Sequence, residues 1–277
     1  MTSIWGRLAS AAIGAALLVV LAGAAVAGDA PAAAPEMQPI CADRPTKSNG
    51  PCTVDAGHFQ VEADIVNATF MHEGGVTADT WLILNPTLKY GLTSNLDIEA
   101  SIAPVDILRT RDAAGVTSTQ TGIGDLFLRA KYEFLNKPSF QAALIPYIKA
   151  PTASRGLGNG AVEGGLLLPM NIKLSSSLSL ALQPEVDNFE NAAGDGHHLA
   201  TSEDVNLGLS LPHNVTVFAE LWGQWDFDPA GTVRQYSADI AAALGLGRDT
   251  QLDAGINFGL NRATPGFAPY IGIAHRF

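Results

Sequence analysis

The last twelve residues of the chain, 266–277 (GFAPYIGIAHRF), decide the fold. Side chains of a β-strand alternate between its two faces, so every second residue lies on the same side. One face of this stretch is mostly apolar and carries Pro269, Ile271, Ile273, His275 and Phe277. The opposite face carries small residues together with Tyr270 and Arg276. The stretch therefore predicts an amphipathic β-strand that ends in an aromatic residue.

An aromatic C-terminus on an amphipathic last strand is typical of bacterial outer-membrane β-barrels. In such barrels one strand face contacts lipid and the other faces the lumen. We therefore predict an all-β, transmembrane, antiparallel up-and-down barrel, and interpret Phe277 as an insertion signal. The expected partners are outer-membrane lipids and the barrel-insertion machinery, and the expected location is the bacterial outer membrane.

The other end of the chain predicts export. Residues 1–27 contain one positive charge at Arg7, an apolar stretch over residues 11–27, and the small-residue triplet Ala25, Val26 and Ala27. This combination is typical of a cleaved signal peptide. A retained membrane anchor is the alternative, although no later apolar run has the length needed to span a bilayer.

Composition agrees with a barrel. The formal net charge is -11, which makes nucleic acid a poor partner. Only 16% of the residues are charged and 28 are glycine, yet the apolar residues are spread evenly along the chain. This even distribution of apolar residues is expected when each strand buries one face in lipid and exposes the other to water.

Alternation and turn residues divide the remainder into about twelve strands. The predicted strands are 58–71, 80–91, 95–108, 121–135, 139–151, 161–174, 177–190, 201–211, 214–227, 233–247, 250–261 and 267–277. Prolines within or near these strands remove backbone hydrogen-bond donors from the sheet: Pro86, Pro104, Pro146, Pro169 and Pro184. If they truncate strands, the barrel has ten strands, and a count of fourteen also stays open. A soluble β-sandwich is a further alternative, but its strands would be shorter.

The connections between these strands alternate between tight turns and longer polar loops. The long loops are predicted at 109–120, 152–160 and 191–200. Outer-membrane barrels have short periplasmic turns and longer external loops. An even strand number therefore places both ends of the barrel chain on the periplasmic side.

Residues 28–57 form a predicted periplasmic segment ahead of the barrel, which occupies residues 58–277. This segment contains both cysteines of the chain, Cys41 and Cys52. In an exported protein an even pair at short spacing most simply forms a disulfide. The sequence leaves open whether this segment enters the lumen as a plug.

Placing each apolar strand face outward predicts which residues line the lumen. Acidic residues outnumber basic ones in this set, which comprises Glu62, Asp64, Lys89, Asp97, Glu99, Asp125, Arg129, Lys131, Lys149, Glu163, Lys173, Glu185, Asp187, Asp204, Glu220, Trp222, Asp239, Asp253 and Arg276. Two interpretations stay open: a salt-bridged interior that only supports the wall, or a polar conduit that disfavours anions. Together with Phe127, Tyr147 and Phe189, Trp222 could form an apolar shelf that binds hydrophobic solutes, or these rings could simply fill space.

Several segments resemble an outer-membrane transporter-like family that is labelled as a MetA pathway of phenol degradation. They are residues 85–93 (NPTLKYGLT), 122–132 (GIGDLFLRAKY), 151–154 (PTAS) with 156–160 (GLGNG), and 269–272 (PYIG). The resemblance covers most of the chain after Pro51 and implies a barrel that passes small aromatic compounds. It supplies no catalytic residues, and the cysteine-bearing segment is an addition to a minimal barrel.

Enzymatic and metal-binding readings find little support in the sequence. The six histidines are scattered, and none has the matching Ser that an outer-membrane hydrolase needs. His197 and His198 are adjacent in a predicted loop and would point apart, so we expect no metal and no cofactor. The predicted function is passive uptake or binding of a small solute, with an aromatic or hydrophobic compound as one candidate. The alternatives are a plugged structural barrel acting through its external loops and, less favoured, a lipid-modifying barrel enzyme.

Overall fold

The computed structural model describes residues 37–277, so the predicted signal peptide at residues 1–27 lies outside the described residues. Secondary structure within this range is entirely β. Over residues 37–277, no helix has the length and apolar character required to cross a membrane.

Fifteen strand segments follow one another along the chain. Their bounds are β1 Phe59–Glu73, β2 Val76–Thr93, β3 Leu96–Ser101, β4 Val105–Arg111, β5 Thr117–Gly122, β6 Leu126–Lys137, β7 Phe140–Ala150, β8 Glu163–Leu167, β9 Met170–Lys173, β10 Leu178–Glu190, β11 His197–Leu211, β12 Val215–Asp226, β13 Val233–Gly245, β14 Thr250–Gly259 and β15 Phe267–Arg276.

These segments form one closed antiparallel barrel. Apart from the pairs β3/β4, β5/β6 and β8/β9, consecutive segments pair as antiparallel neighbours, and β1 closes the sheet by pairing with β15, with Gln60 opposite Arg276 and Phe70 opposite Phe267. The pairs β3/β4, β5/β6 and β8/β9 are each the two parts of one interrupted strand, which leaves twelve wall strands. The predicted fold class and strand number are confirmed.

Prolines explain two of the interruptions. Pro104 lies in the break between β3 and β4, and Pro169 lies in the break between β8 and β9. Each break faces a proline on the neighbouring strand: Pro86 of β2 lies opposite the first break and Pro184 of β10 opposite the second. Because proline has no N–H to donate, a ladder bond is absent at these positions in any case. The prolines split strands without reducing their number.

Two of the predicted long loops are shorter in the structure. The predicted loop at 109–120 is a hairpin, because β4 extends to Arg111 and β5 begins at Thr117. The predicted loop at 191–200 is also shortened, because β11 begins at His197. These strand extensions are polar, so they lack the apolar alternation on which the prediction relied.

The outer face of the wall is apolar, as contact with lipid requires. Along β11, Val205, Leu207 and Leu209 are exposed, whereas the intervening Asp204 and Asn206 are buried. Aromatic pairs lie near both ends of the strands: Phe59 with Tyr90 at 4.6 Å between ring centroids, and Trp225 with Tyr236 at 5.7 Å. A closed barrel with an exposed apolar band and aromatic residues at its rims is an outer-membrane barrel.

Candidate solute pathway and its N-terminal segment

The predicted lumen-lining residues fall into three groups by exposure. Most are buried: Glu62, Asp64, Lys89, Asp97, Glu99, Lys131, Lys149, Asp187, Asp204, Glu220, Asp239, Asp253 and Arg276. Asp125, Arg129, Glu163, Glu185 and Trp222 are half-buried. Lys173 differs from the rest, because it is exposed at the end of β9, beside the short turn that leads to β10.

Residues 38–55, here called the plug segment, enter the barrel at the end that carries the short turns. The Ile40 amide donates to the Arg248 carbonyl at 2.7 Å, and Arg276 Nη2 donates to the Gln38 carbonyl at 2.7 Å. The sulfur atoms of Cys41 and Cys52 are bonded, which makes residues 41–52 a closed loop. The tip of the plug segment, residues 46–49, lies within this loop.

Asp43 of the plug segment contacts two buried lysines of the wall. Its carboxylate accepts from Lys131 Nζ at 2.7 Å and also pairs with Lys89 Nζ. Its backbone amide donates to Glu62 Oε2 at 3.0 Å. Burial acts to raise the pKa of Asp43, but the Lys131 and Lys89 ammonium groups outweigh it and hold the pKa well below its ordinary range. Asp43 is therefore ionised and fixed between β2 and β6.

Arg44, the next residue, contacts the opposite side of β1. Its Nη1 donates to Asp64 Oδ1 at 2.7 Å, and its Nη2 and Nε donate to the two oxygens of Asp253 at 2.8 and 3.1 Å. Gln251 Nε2 donates to the Arg44 carbonyl at 3.1 Å. This bidentate pairing fixes the orientation of the guanidinium group between β1 and β14.

The tip of the plug segment reaches β10 to β13. Lys47 Nζ pairs with Asp239, and the Lys47 and Ser48 amides donate to the Glu220 carboxylate at 3.0 and 3.1 Å. The Asn49 amide donates to Gln183 Oε1 at 2.8 Å. The tip is therefore bound through backbone amides as well as through charged side chains.

The plug segment leaves the lumen along β2 and joins β1. The Val54 amide donates to Asp97 Oδ2 at 2.9 Å, and Asp55 pairs with Arg276. Gly91 allows this close approach, because a Cβ there would lie 2.3 Å from the Asp55 carbonyl oxygen. The segment thus bonds to wall strands around most of the circumference, which is possible only from inside the barrel.

Two of the cavities in the described part of the chain lie beside the plug segment. One has a volume of about 290 Å³ and lies between the disulfide and the polar wall residues Gln141, Asn171 and Asn206. The other, of about 170 Å³, lies between the tip and a wall region that includes Asn85 and Arg129. The plug segment lines both cavities and takes up space in the lumen beside them.

Beyond the plug segment, towards the long loops, the wall carries a second set of buried polar contacts. The Tyr147 hydroxyl donates a hydrogen bond to Asp187 Oδ1 at 2.7 Å, and the Ser202 hydroxyl donates one to Glu185 Oε2 at 3.3 Å. Lys149 pairs with Glu163 at 2.7 Å. These contacts connect β7, β8, β10 and β11 at the level above the tip.

The four aromatic residues of the predicted shelf do not form one cluster but lie in three separate places. Phe127 packs beside Tyr147 with ring centroids 6.2 Å apart. Trp222 instead lies under the Lys47 ammonium group, 5.6 Å from the ring centroid, and Phe189 contacts the His198 ring. Only the Phe127 and Tyr147 pair therefore offers an apolar surface of the kind expected.

The two histidines of the predicted loop make contacts typical of structural residues. His197 Nε2 lies 2.9 Å from the Val162 carbonyl oxygen, and His198 lies between Asp226 and Asp228. Backbone amides of the loops hold the pKa of Asp228 below its ordinary value. Within residues 37–277, no group of three or more His, Cys, Asp or Glu side chains has the arrangement of a metal site.

Sequence reasoning did not assign functional roles to the plug residues Asp43, Arg44 and Lys47. One signal was present: a loop containing Arg44 and Lys47 precedes a barrel whose predicted interior is acidic. Charge complementarity could therefore have suggested that the loop enters the lumen, although it could not have named the paired residues.

Solved structures with a similar fold are outer-membrane barrels. An outer-membrane channel from Pseudomonas putida F1 has a TM-score of 0.66 and 14% identity, over 84% of this chain and 100% of that chain. The β domain of the Bordetella autotransporter BrkA has a TM-score of 0.52 and 13% identity, over 80% and 100%. The NanC porin has a TM-score of 0.50 and 6% identity, over 78% and 98%. At these identities the likeness shows the fold alone.

A family profile provides the assignment at the level of sequence. Comparison with curated protein sequences gave no match. The profile of the family described as "Putative MetA-pathway of phenol degradation" matches residues 42–277, from the plug segment to the last residue. The chain belongs to this family, and it is a twelve-stranded barrel of the bacterial outer membrane.

Proposed function

We propose that this protein is an outer-membrane channel for small solutes, and that residues 38–55 close its lumen. The observation that carries the proposal is the bonding of the plug segment to strands around the wall through Asp43, Arg44 and Lys47. A barrel that served only as a membrane scaffold could fill its interior with wall side chains. A separate segment held by ion pairs can instead move as a unit.

The charge of the wall supports a preference for cations. Asp64, Asp253 and Asp239 form ion pairs with the plug segment, and Glu220 accepts its backbone amides. When the plug segment moves, these carboxylates are released together into a lumen with more buried acids than bases. A ring of carboxylates raises the local concentration of cations and repels anions.

Opening requires movement of the plug segment rather than of the wall. The barrel is closed by continuous backbone pairing, including the β1 and β15 pair, so its circumference is fixed. By the rule that short turns face the periplasm, the plug segment enters from the periplasmic side. The disulfide between Cys41 and Cys52 restricts its motion to displacement of a preformed loop.

Small aromatic solutes are a second candidate for the cargo. The family description refers to phenol degradation, and Phe127 and Tyr147 pack together in the wall with the Arg129 guanidinium 5.3 Å from the Phe127 ring centroid. Such a surface would stack an aromatic ring at the level above the plug tip. Both candidates use the same closed pathway.

Current through the full chain in a planar bilayer tests the proposal. We expect a mostly closed barrel with brief openings, which become more frequent when a reductant breaks the disulfide. In a salt gradient the reversal potential should show cation preference. Anion-preferring openings would contradict the proposed role of the wall acids. Silence under both conditions, combined with binding that depends on the external loops, would favour a surface-interaction barrel.

A further inference from the structure

The Arg44 guanidinium occupies a preformed site in the barrel wall. Asp64 on β1 and Asp253 on β14 both lie in register with Gly272 on the intervening strand β15. Three neighbouring strands therefore place a carboxylate, a glycine and a carboxylate in one row. The two carboxylates receive three hydrogen bonds from Arg44, at 2.7, 2.8 and 3.1 Å.

Gly272 provides the space that the guanidinium needs. A Cβ at this position would lie 2.1 Å from Arg44 Nη2 and 2.4 Å from its Cζ. The Tyr270 ring is on the same strand, with its centroid 5.8 Å from Cζ, and adds a cation–π contact. The planar cation thus lies over bare backbone, with carboxylates at its edge and an aromatic ring nearby.

The carboxylates of this site have no other cationic partner among the described residues. Asp64 and Asp253 are buried, and the ion pairs that they form are with Arg44 alone. Removal of Arg44 would leave two neighbouring buried carboxylates unpaired, which is costly unless another cation replaces it. The wall is therefore complementary to a guanidinium group whether or not that group belongs to the chain.

We infer that Asp64, Gly272, Asp253 and Tyr270 form a binding site for a guanidinium group of a soluble cation, which competes with Arg44 and so releases the plug segment. This inference rests on the proposed channel function and names the class of solute that opens it. Bidentate geometry favours guanidinium over ammonium, because a planar fork matches carboxylate oxygens and a point charge does not.

The nearby Lys47 region could accept a second cationic group of the same solute. Among the described residues, Asp204 Oδ1 and Asp239 Oδ1 are buried and have no hydrogen-bond partner. Lys47 forms its ion pair with the other oxygen of Asp239 and also donates to Ser237 Oγ at 3.0 Å. The acidic side of the lumen thus has unused acceptors beyond those that bind Arg44.

Equilibrium binding of a small guanidinium compound to an Arg44→Ala variant of the full chain tests the inference independently of any conductance measurement. The probe is methylguanidinium, compared with neutral methylurea of the same shape and with methylammonium. We expect methylguanidinium to bind Arg44→Ala at least about tenfold more tightly than either comparison compound, as loss of a charge-assisted hydrogen bond implies. The matched control is Arg44→Ala combined with Asp253→Asn, where this preference should disappear.

Equal binding of methylguanidinium and methylurea, or a preference that survives Asp253→Asn, would overturn the inference. If Arg44→Ala does not fold, Arg44→Gln keeps the side-chain length without the charge and permits the same comparison. Current recorded on the same samples separates the two proposals. Specific binding of methylguanidinium without conductance in any variant would support the guanidinium site and reject the channel. Conductance without specific binding would support the channel and reject the guanidinium site.

Discussion

Deletion of residues 38–53 should convert a mostly closed barrel into a continuously open one. The segment fills the lumen and makes the ion pairs that hold it there, while the wall strands pair with one another independently of it. We expect the mean single-channel current to rise on the order of tenfold or more, as removal of a plug from a twelve-stranded barrel implies. The open state should prefer cations.

A control for this deletion is the removal of residues from a loop that does not enter the lumen. Shortening of the hairpin between β4 and β5, near Arg111 and Thr117, serves this purpose because those residues are outside the plug contacts. The hairpin variant should remain closed. If deletion of residues 38–53 leaves the current unchanged in a correctly folded, heat-modifiable barrel, the plug does not control the pathway.

Asp43→Asn should release the plug segment without shortening the chain. Lys89 and Lys131 are 2% and 1% exposed at their side chains, and the Asp43 carboxylate lies within ion-pair distance of both. Breaking a buried ion pair by removing one partner typically costs about 3–5 kcal/mol. That cost corresponds to a rise of about two to four orders of magnitude in the ratio of released to seated plug.

Open probability in planar bilayers measures this effect, and Asp195→Asn in an exposed loop is the matched control. Acidification gives a second test of Asp43. A carboxylate whose pKa is lowered in the folded state stabilises that state fully above its ordinary pKa, and this stability is lost progressively as the pH falls from the ordinary pKa to the lowered value. Asp43 should therefore keep the plug segment seated at mildly acidic pH. An Asp43→Asn protein that stays closed would contradict its role.

Much of the barrel could be predicted from the sequence because strand period and turn chemistry are local properties. The predicted strand 250–261 corresponds to β14, and 267–277 corresponds to β15, each with ends within two residues. Strand ends outside the membrane were predicted less well. At Arg111 and Thr117 the hairpin is polar on both faces, so no hydrophobic alternation marks it.

The position of the plug segment could not be predicted in the same way. Its loop has no repeating pattern, and its partners are distant in sequence: Arg44 and Asp253 are 209 residues apart. The excess of acidic over basic residues in the interior could be predicted by counting the inward-facing residues. The row of Asp64, Gly272 and Asp253 could not, because it depends on the register of three strands. Register between the first and last strands is set only when the barrel closes.

Protection of the bond between Lys47 and Ser48 from trypsin is the most direct test of the central claim that residues 38–55 lie inside the barrel. Trypsin is far too large to enter a twelve-stranded barrel, so a seated plug is protected and a released one is cleaved. With the folded full chain in detergent, we expect the peptide bond after Lys47 to stay intact, and we expect rapid cleavage of the same bond in Asp43→Asn. Rapid cleavage after Lys47 in the unaltered protein would show that residues 38–55 lie outside the barrel.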